Sequence, residues 1–333
     1  MRRRRFRHGV RAAAALWGML LLALRGEAAL AQGAAAQDGA LFLLLPVGAR
    51  ALGLGQAVVA DQLGGSEAVW WNPAGLARAE KREAAIHHSQ SVIGTGDAVT
   101  VLVPSSLLGV LAASVNILNY GSQEVTASDI GTIGNILPRS FVYAATYATT
   151  IGEHVNAGVT YKLIQFRVDC TGTCPPAASF AATTSALDFG AQFDLRGIAP
   201  ASLGVALRNV GPRLQVNDSP QSDALPTRLQ IGALYRVAAL ARYTKTTELR
   251  ITGDVLDEVK LNDPSARVGA DVVWQKRLHA RVGYVFDDTE SGGPSVGLGL
   301  TAGSLVVDIA RLFEGLSAAA GQAPTHLSLR YLF

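Results

Sequence analysis

A strict two-residue alternation of apolar and polar side chains recurs along most of this 333-residue chain. Leu187, Phe189, Ala191, Phe193 and Leu195 alternate with Asp188, Gly190, Gln192 and Asp194. Successive side chains on a strand point to opposite faces, so such a segment has one greasy face and one polar face. The same pattern runs through 203–208, 228–237, 248–255, 266–274 and 278–286. Fourteen segments fit it: 83–92, 98–104, 108–119, 139–149, 154–168, 183–195, 201–210, 227–237, 247–257, 266–275, 278–287, 294–302, 304–313 and 325–333. An even count of strands, many near the roughly 9–11 residues that cross a bilayer at a tilt, is the signature of a bacterial outer-membrane barrel.

The links between segments carry a second signal. After a short first link at 93–97, the odd-to-even links 120–138, 169–182, 211–226, 258–265, 288–293 and 314–324 are the long ones. The even-to-odd links 105–107, 150–153, 196–200, Lys276-Arg277 and Gly303 are tight, with 238–246 the weakest fit. Transmembrane barrels have short periplasmic turns and longer outside loops. Composition agrees: 49% hydrophobic and 17% charged residues exclude a disordered chain. No uncharged apolar run reaches the roughly 18 residues of a helical span, which excludes a polytopic helical membrane protein. An exported soluble β-sandwich would also alternate. However, Gly and charge down the middle of the polar faces suit a solvated lumen, and the opposite faces suit lipid. The expected fold is therefore all-β, a 14-stranded antiparallel transmembrane barrel. It must close, because an open edge in hydrocarbon leaves backbone groups unpaired.

The N-terminus reads as an address. Arg2, Arg3, Arg4, Arg5, Arg7 and Arg11 precede an apolar stretch from Ala12 to Leu24, and Ala29-Leu30-Ala31 follows as a small-x-small cleavage site. That order is a secretory signal peptide, residues 1–31. Its removal leaves 22 basic and 25 acidic residues, so the basicity lay in the signal, and no basic cluster argues for nucleic acid.

Residues 32–82 are a linker followed by a segment unlike the barrel strands of 83–333. Leu41-Phe42-Leu43-Leu44-Leu45 leads into Pro46-Val47-Gly48-Ala49-Arg50-Ala51-Leu52-Gly53-Leu54-Gly55, and 66–77 reads SEAVWWNPAGLA. Pro73 suits the first turn of a short helix that Asn72 can cap. The small residues Gly48, Gly53, Gly55, Ala74 and Gly75 allow close backbone approach. A compact plug or hatch inside the lumen is the expected result. The 41–45 run either lines a greasy pocket or packs the plug. GARALGLG lacks the phosphate-loop pattern and has no βαβ context, so it is no nucleotide site.

The pair GARALGLGQA and AVWWNPAGLA resembles the start of the PorV/PorQ family of outer-membrane proteins, within the wider fatty-acid-transporter-like (FadL-like) barrels. Weaker matches are LGVALRNVG (203–211), LPTRLQIGALY (225–235), RVGADVVW (267–274), ARVGYVF (280–286) and VGLGLTAGSLVVDIA (296–310), so the resemblance runs from about residue 40 to the end. It implies a 14-stranded barrel with an internal N-terminal segment, in which Gly48, Arg50, Gly53, Gly55, Trp70, Trp71, Asn72, Pro73, Ala74 and Gly75 act as hatch or gating residues. The alternating C-terminus, with Tyr331 and Phe333, resembles the signal read by the barrel-assembly machinery. The implied location is the outer membrane of a Gram-negative-type bacterium, in contact with its lipid. The implied function is an accessory role in protein secretion or surface assembly of the type IX kind, with secretion-system components as partners. The alternatives are FadL-like transport of hydrophobic small molecules such as fatty acids, or a mainly structural barrel.

No catalytic, cofactor-binding or metal residues are expected. HExxH and GxSxG are missing, and the neighbours His87 and His88 face opposite ways on one strand. Asp188, Asp194, Arg208, Arg228, Arg236, Arg250, Asp254, Arg267, Asp271, Arg281, Asp308 and Arg330 mostly face the lumen. Their mixed signs favour mutual bracing over a polar pathway. Cys170 and Cys174, in an outside loop of an oxidising compartment, are expected to form a small disulfide loop.

Overall fold

A computed structural model describes residues 39–62, 65–127, 131–174, 179–215, 222–237, 244, 246–258, 264–286, 292–313 and 323–333. The expected signal peptide lies outside them. Fourteen strands form the wall: β1 Glu83–Ser91, β2 Gly94–Ser105, β3 Gly109–Asn119, β4 Gly131–Ile151, β5 Val155–Gly172, β6 Phe180–Asp194, β7 Ala201–Val210, β8 Arg228–Arg236, β9 Thr247–Glu258, β10 Ser265–Trp274, β11 Leu278–Phe286, β12 Gly293–Ala302, β13 Leu305–Leu312 and β14 Thr325–Leu332. Each pairs antiparallel with its sequence neighbour. The ring closes through β1 and β14, with Glu83 opposite Leu332 and Gln90 opposite Thr325. Closure satisfies every edge, which hydrocarbon demands.

The alternation decides what faces what. Along β2 the buried and exposed residues alternate, with Thr100 and Leu102 turned in and Val99, Val101 and Val103 turned out. The outward residues of the other strands are likewise Leu, Val, Ile, Phe and Tyr. Tyr147, Phe193, Tyr235, Trp274 and Tyr331 all sit outward near the short-turn end, as one aromatic girdle of a membrane barrel does. Among the described residues no helix is long and apolar enough to cross a membrane; the chain crosses with strands. A closed barrel wearing such a belt is an outer-membrane protein. The end with short turns, which also carries Glu83 and Leu332, faces the periplasm.

Two long links differ from expectation. Residues 131–138 and 169–172, read as loop, continue β4 and β5, with Gly134 opposite Gly172. A short strand Gln123–Ala127 pairs with the same extension. These residues keep the hydrogen-bond ladder running past the expected strand ends, so much of the first link and part of the second are sheet. The sulfurs of Cys170 and Cys174 are joined there, with Cα atoms 6.5 Å apart.

Asn209 is left-handed (φ 61°) at a register shift between β6 and β7. Its backbone N–H donates to Asp188 at 2.7 Å, and Asp188 also takes Lys162 Nζ at 2.6 Å. The extra residue of this bulge is thus pinned by a buried ion pair inside the wall.

Candidate functional site

Among the described residues of 41–82 the regular elements are short helical turns: Leu41–Leu44, Ala49–Gly53, Gly65–Glu67, Ala68–Trp71 and Pro73–Leu76. Turns this short are marginal alone. Their backbone is satisfied instead by inward side chains of the wall. Ala49 N–H donates to Ser328 of β14 (2.8 Å), Gly55 N–H to Ser295 of β12 (3.1 Å) and Val59 N–H to Asp254 of β9 (2.9 Å). In return Gln230 of β8 donates to the Gln56 carbonyl (3.2 Å), Thr252 of β9 to Ala57 (2.7 Å) and Ser202 of β7 to Ala60 (2.9 Å). Gln192 of β6 donates to both Val59 and Asp61 at 3.0 Å.

Asn72 is the knot of the motif. Its carboxamide NH2 donates to the Val59 carbonyl at 2.6 Å, and its oxygen accepts Ala74 N–H at 3.1 Å, capping the turn that Pro73 opens. Pro73 and Ala74 lie against Gly158 and Gly190, and Gly75 lies against Ala68. Trp71 donates its indole N–H to Val47 (2.9 Å) and lies under the Arg208 guanidinium, 5.2 Å from ring centre. Trp70 is held through its carbonyl by Arg208 (3.0 Å). Gly48 is left-handed (φ 96°), and a side chain there would run into Glu67. Gly53 and Gly55 rest on the backbones of Gly297 and of Tyr284 and Val268. Arg50 pairs with Asp61. Tyr331 and Phe333, by contrast, turn their rings outward and stack 5.8 Å apart, while the Phe333 backbone exchanges hydrogen bonds with Arg82 at the end of this segment.

The inward glycines therefore have a meaning other than the expected solvated lumen. A Cβ on Gly204 would strike Val59, on Gly269 Leu54, and on Gly283 Gly55. The glycines let a second layer of backbone lie directly on the wall, and this segment rather than water occupies those faces. Gly283→Val should cost about 1–3 kcal/mol through overpacking against backbone that cannot rotate away. Limited proteolysis between residues 45 and 80 reads it out, and an unchanged cleavage rate would refute the account.

Glu67 accepts N–H bonds from Arg50 (3.2 Å) and Ala51 (2.9 Å), tying the Ala49–Gly53 turn to the Gly65–Glu67 turn. Burial holds its carboxyl above the usual range, although Arg330 and Arg50 pull it down. Beside it, Ser66 Oγ meets His87 Nε2 at 3.2 Å, and His87 Nδ1 meets Ser328 Oγ at 2.8 Å. All four groups are buried, and every bond is spent internally. The chain of groups braces the segment to β1 and β14 and is no catalytic triad. The lumen charges pair as well: Asp308 takes Arg281 (2.6 Å) and Arg330 (3.4 Å), and Asp271 takes Arg281 (3.4 Å) and His279 (3.3 Å). Among the described residues no group of three or more metal-ligating side chains occurs.

A cavity of about 110 Å³ opens at the outer mouth, between the 42–48 stretch and β1–β4, β13 and β14. Phe42, Leu45, Val47, Ala98, Leu118, Val142 and Leu312 give it an apolar lining. His87, Ser89, Asn116, Ser140 and His326 contribute the polar edge. A small recess continues from it past Phe42 and Leu45 to Trp70, Trp71, Lys162 and Arg208. Phe42 and Leu43 also pack on the buried core, so the 41–45 run both packs and lines. Glu67, Asp61, Gln192 and His326 were not singled out from sequence. Glu67 had one available signal, a lone acid beside the AVWWNPAG motif.

No protein-family model matches the chain, and no curated protein sequence matches it. Solved structures do. The Pseudomonas putida toluene transporter TodX matches with a TM-score of 0.55 at 12% identity, over 85% of this chain and 95% of its own. The CymD monoaromatic hydrocarbon channel matches at 0.56 and 12%, over 87% and 98%. A Pseudomonas aeruginosa FadL homologue matches at 0.51 and 12%, over 86% and 98%. At such identity the likeness is one of fold, and the fold is that of the FadL-type transporters, not specifically of PorV/PorQ. The expectation of a role in protein secretion or surface assembly is corrected by this finding. The Gly-rich and Asn-Pro-Ala-Gly signals that suggested it serve in this chain to pack a segment on the barrel wall.

Proposed function

We propose that this protein carries hydrophobic small molecules across the outer membrane. The cavity at the outer mouth is the receiving site, and residues 41–82 are the hatch of the barrel. The observation that carries this reading is the cavity itself: an apolar chamber at the entrance whose inner wall is the hatch. A polar porin would instead leave a water-filled lumen. The described neighbours with this fold include toluene transporters and a monoaromatic hydrocarbon channel, and their ligand class suits a chamber lined by Phe42, Leu118 and Leu312. Residues 1–31 serve as the export signal on this reading, and Tyr331 and Phe333 mark the last strand for assembly.

The test is uptake. Cells making the protein should take up radiolabelled toluene several-fold faster than cells lacking it. Phe42→Asp, which puts a charge in the chamber, should abolish the gain while leaving the barrel heat-modifiable on gels. Equal uptake with and without the protein overturns the proposal.

A further inference from the structure

We infer that the outer-mouth cavity selects an uncharged, ring-sized solute that carries a hydroxyl group, with His326 as the hydrogen-bonding partner. The inference rests on reading this cavity as the solute site. The cavity volume of about 110 Å³ is of the order that accepts one benzene ring, roughly 150 Å³ in an engineered apolar core.

The polar groups around it settle what that ring should carry. His87 is committed through both ring nitrogens, Ser140 meets Tyr120 at 2.9 Å, and Ser89 donates to Gly96 at 3.2 Å. His326 is different. It lines the cavity, is only 4% exposed, and has no hydrogen bond to the described residues. Asn116, across the cavity, has none either. The His326 ring nitrogens are not sealed off but open on the cavity, where a ligand hydroxyl can bond to them, while an apolar ligand would displace water and leave them bare. Among the described residues no Lys, Arg, Asp or Glu lines the cavity, so nothing there balances a carboxylate or an ammonium. In the recess behind it, Lys162 is taken by Asp188 (2.6 Å) and Asn209 (2.9 Å), and Arg208 by Trp70 (3.0 Å) and Gln230 (3.2 Å). A pure hydrocarbon fits but leaves His326 unpaired. A site with a polar group to satisfy discriminates strongly against the analogue lacking the partner.

Three probes of one shape decide it: toluene, p-cresol and p-toluate, each titrated calorimetrically into the full-length protein reconstituted in lipid nanodiscs. p-Cresol should bind about tenfold more tightly than toluene, and p-toluate more weakly than p-cresol. His326→Leu should bring p-cresol down to the toluene value without weakening toluene, and His326→Gln should restore part of the preference. Should His326→Leu fail to fold, Asn116→Leu and the wild-type ratio still decide. Toluene binding with no preference for p-cresol, or p-toluate binding best, overturns this inference while leaving hydrophobic transport standing. Binding of none of the three overturns both.

Discussion

Excising residues 41–77 is expected to convert a closed barrel into an open one. In planar bilayers the full-length protein should pass little ion current, and the deleted form at least about tenfold more. The expectation follows from what the segment touches. It bonds to inward side chains of β1, β6, β7, β8, β9, β12 and β14, and its Pro73-Ala74 turn lies on Gly158 of β5. An eight-stranded barrel fills its interior with its own side chains, whereas 16–18 strands leave an aqueous channel. Fourteen strands fall between, and here Gly158, Gly190, Gly204, Gly269 and Gly283 supply no side chains to fill the space. Once the segment is gone, Ser202, Gln192, Gln230, Thr252 and Asp254 lose their bonds to it but gain water, and Gln230 still bonds to Asp254 and Arg208, so the wall should still close. Milder evidence comes from Asn72→Ala, which removes the bond to Val59 and the cap on Ala74 together. It should raise the current less than the deletion does. Equal conductance of the deleted and complete proteins would sink the hatch assignment.

Why some of this was legible in the sequence and some was not has a physical basis. Strand periodicity is local, so Leu187 to Leu195 announces its two faces without reference to the rest of the chain, and the barrel follows from repetition. The meaning of the polar face is not local. Gly204 or Gly283 in an inward position fits water as well as it fits a second layer of backbone, and only the position of Val59 or Gly55 decides. The WWNPAG motif was visible as a unit, and so was Asn72 as a cap. That its carboxamide also holds Val59, thirteen residues earlier in the chain, depends on how the segment folds back on itself. His326 was invisible for a similar reason: its lack of a partner is a property of the assembled mouth. The Gly-rich strands and the Asn-Pro-Ala-Gly turn that pointed to secretion report how this barrel is packed, not what it does. The cavity between Phe42 and Leu312, on which the transport proposal rests, has its two sides at opposite ends of the chain.

The largest single-residue effect on stability should come from Asp308→Ala. Asp308 is fully buried and accepts from Arg281 at 2.6 Å and Arg330 at 3.4 Å, so one carboxylate compensates two guanidinium groups. Removing it leaves two positive charges facing each other in the wall, and breaking a buried pair in this way costs about 3–5 kcal/mol. Asp271, which is 3.4 Å from Arg281, offers partial relief to that arginine. Glu83, 3.9 Å from Arg330, offers the other less. An open periplasmic cavity of about 330 Å³ lined by Arg50, Arg281 and Arg330 admits water, which holds the cost toward the lower end of the range. The control has nearly the same geometry and different surroundings. Arg167 and Asp169 are 2.6 Å apart, but both are substantially exposed on the outer extension of β5. Asp169→Ala should therefore change stability by no more than about 1 kcal/mol. Urea unfolding of both variants in lipid vesicles, followed by tryptophan fluorescence, makes the comparison. Equal shifts in the two would mean that the charges inside this barrel are solvated after all, and bracing would give way to a polar pathway as the reason they are there.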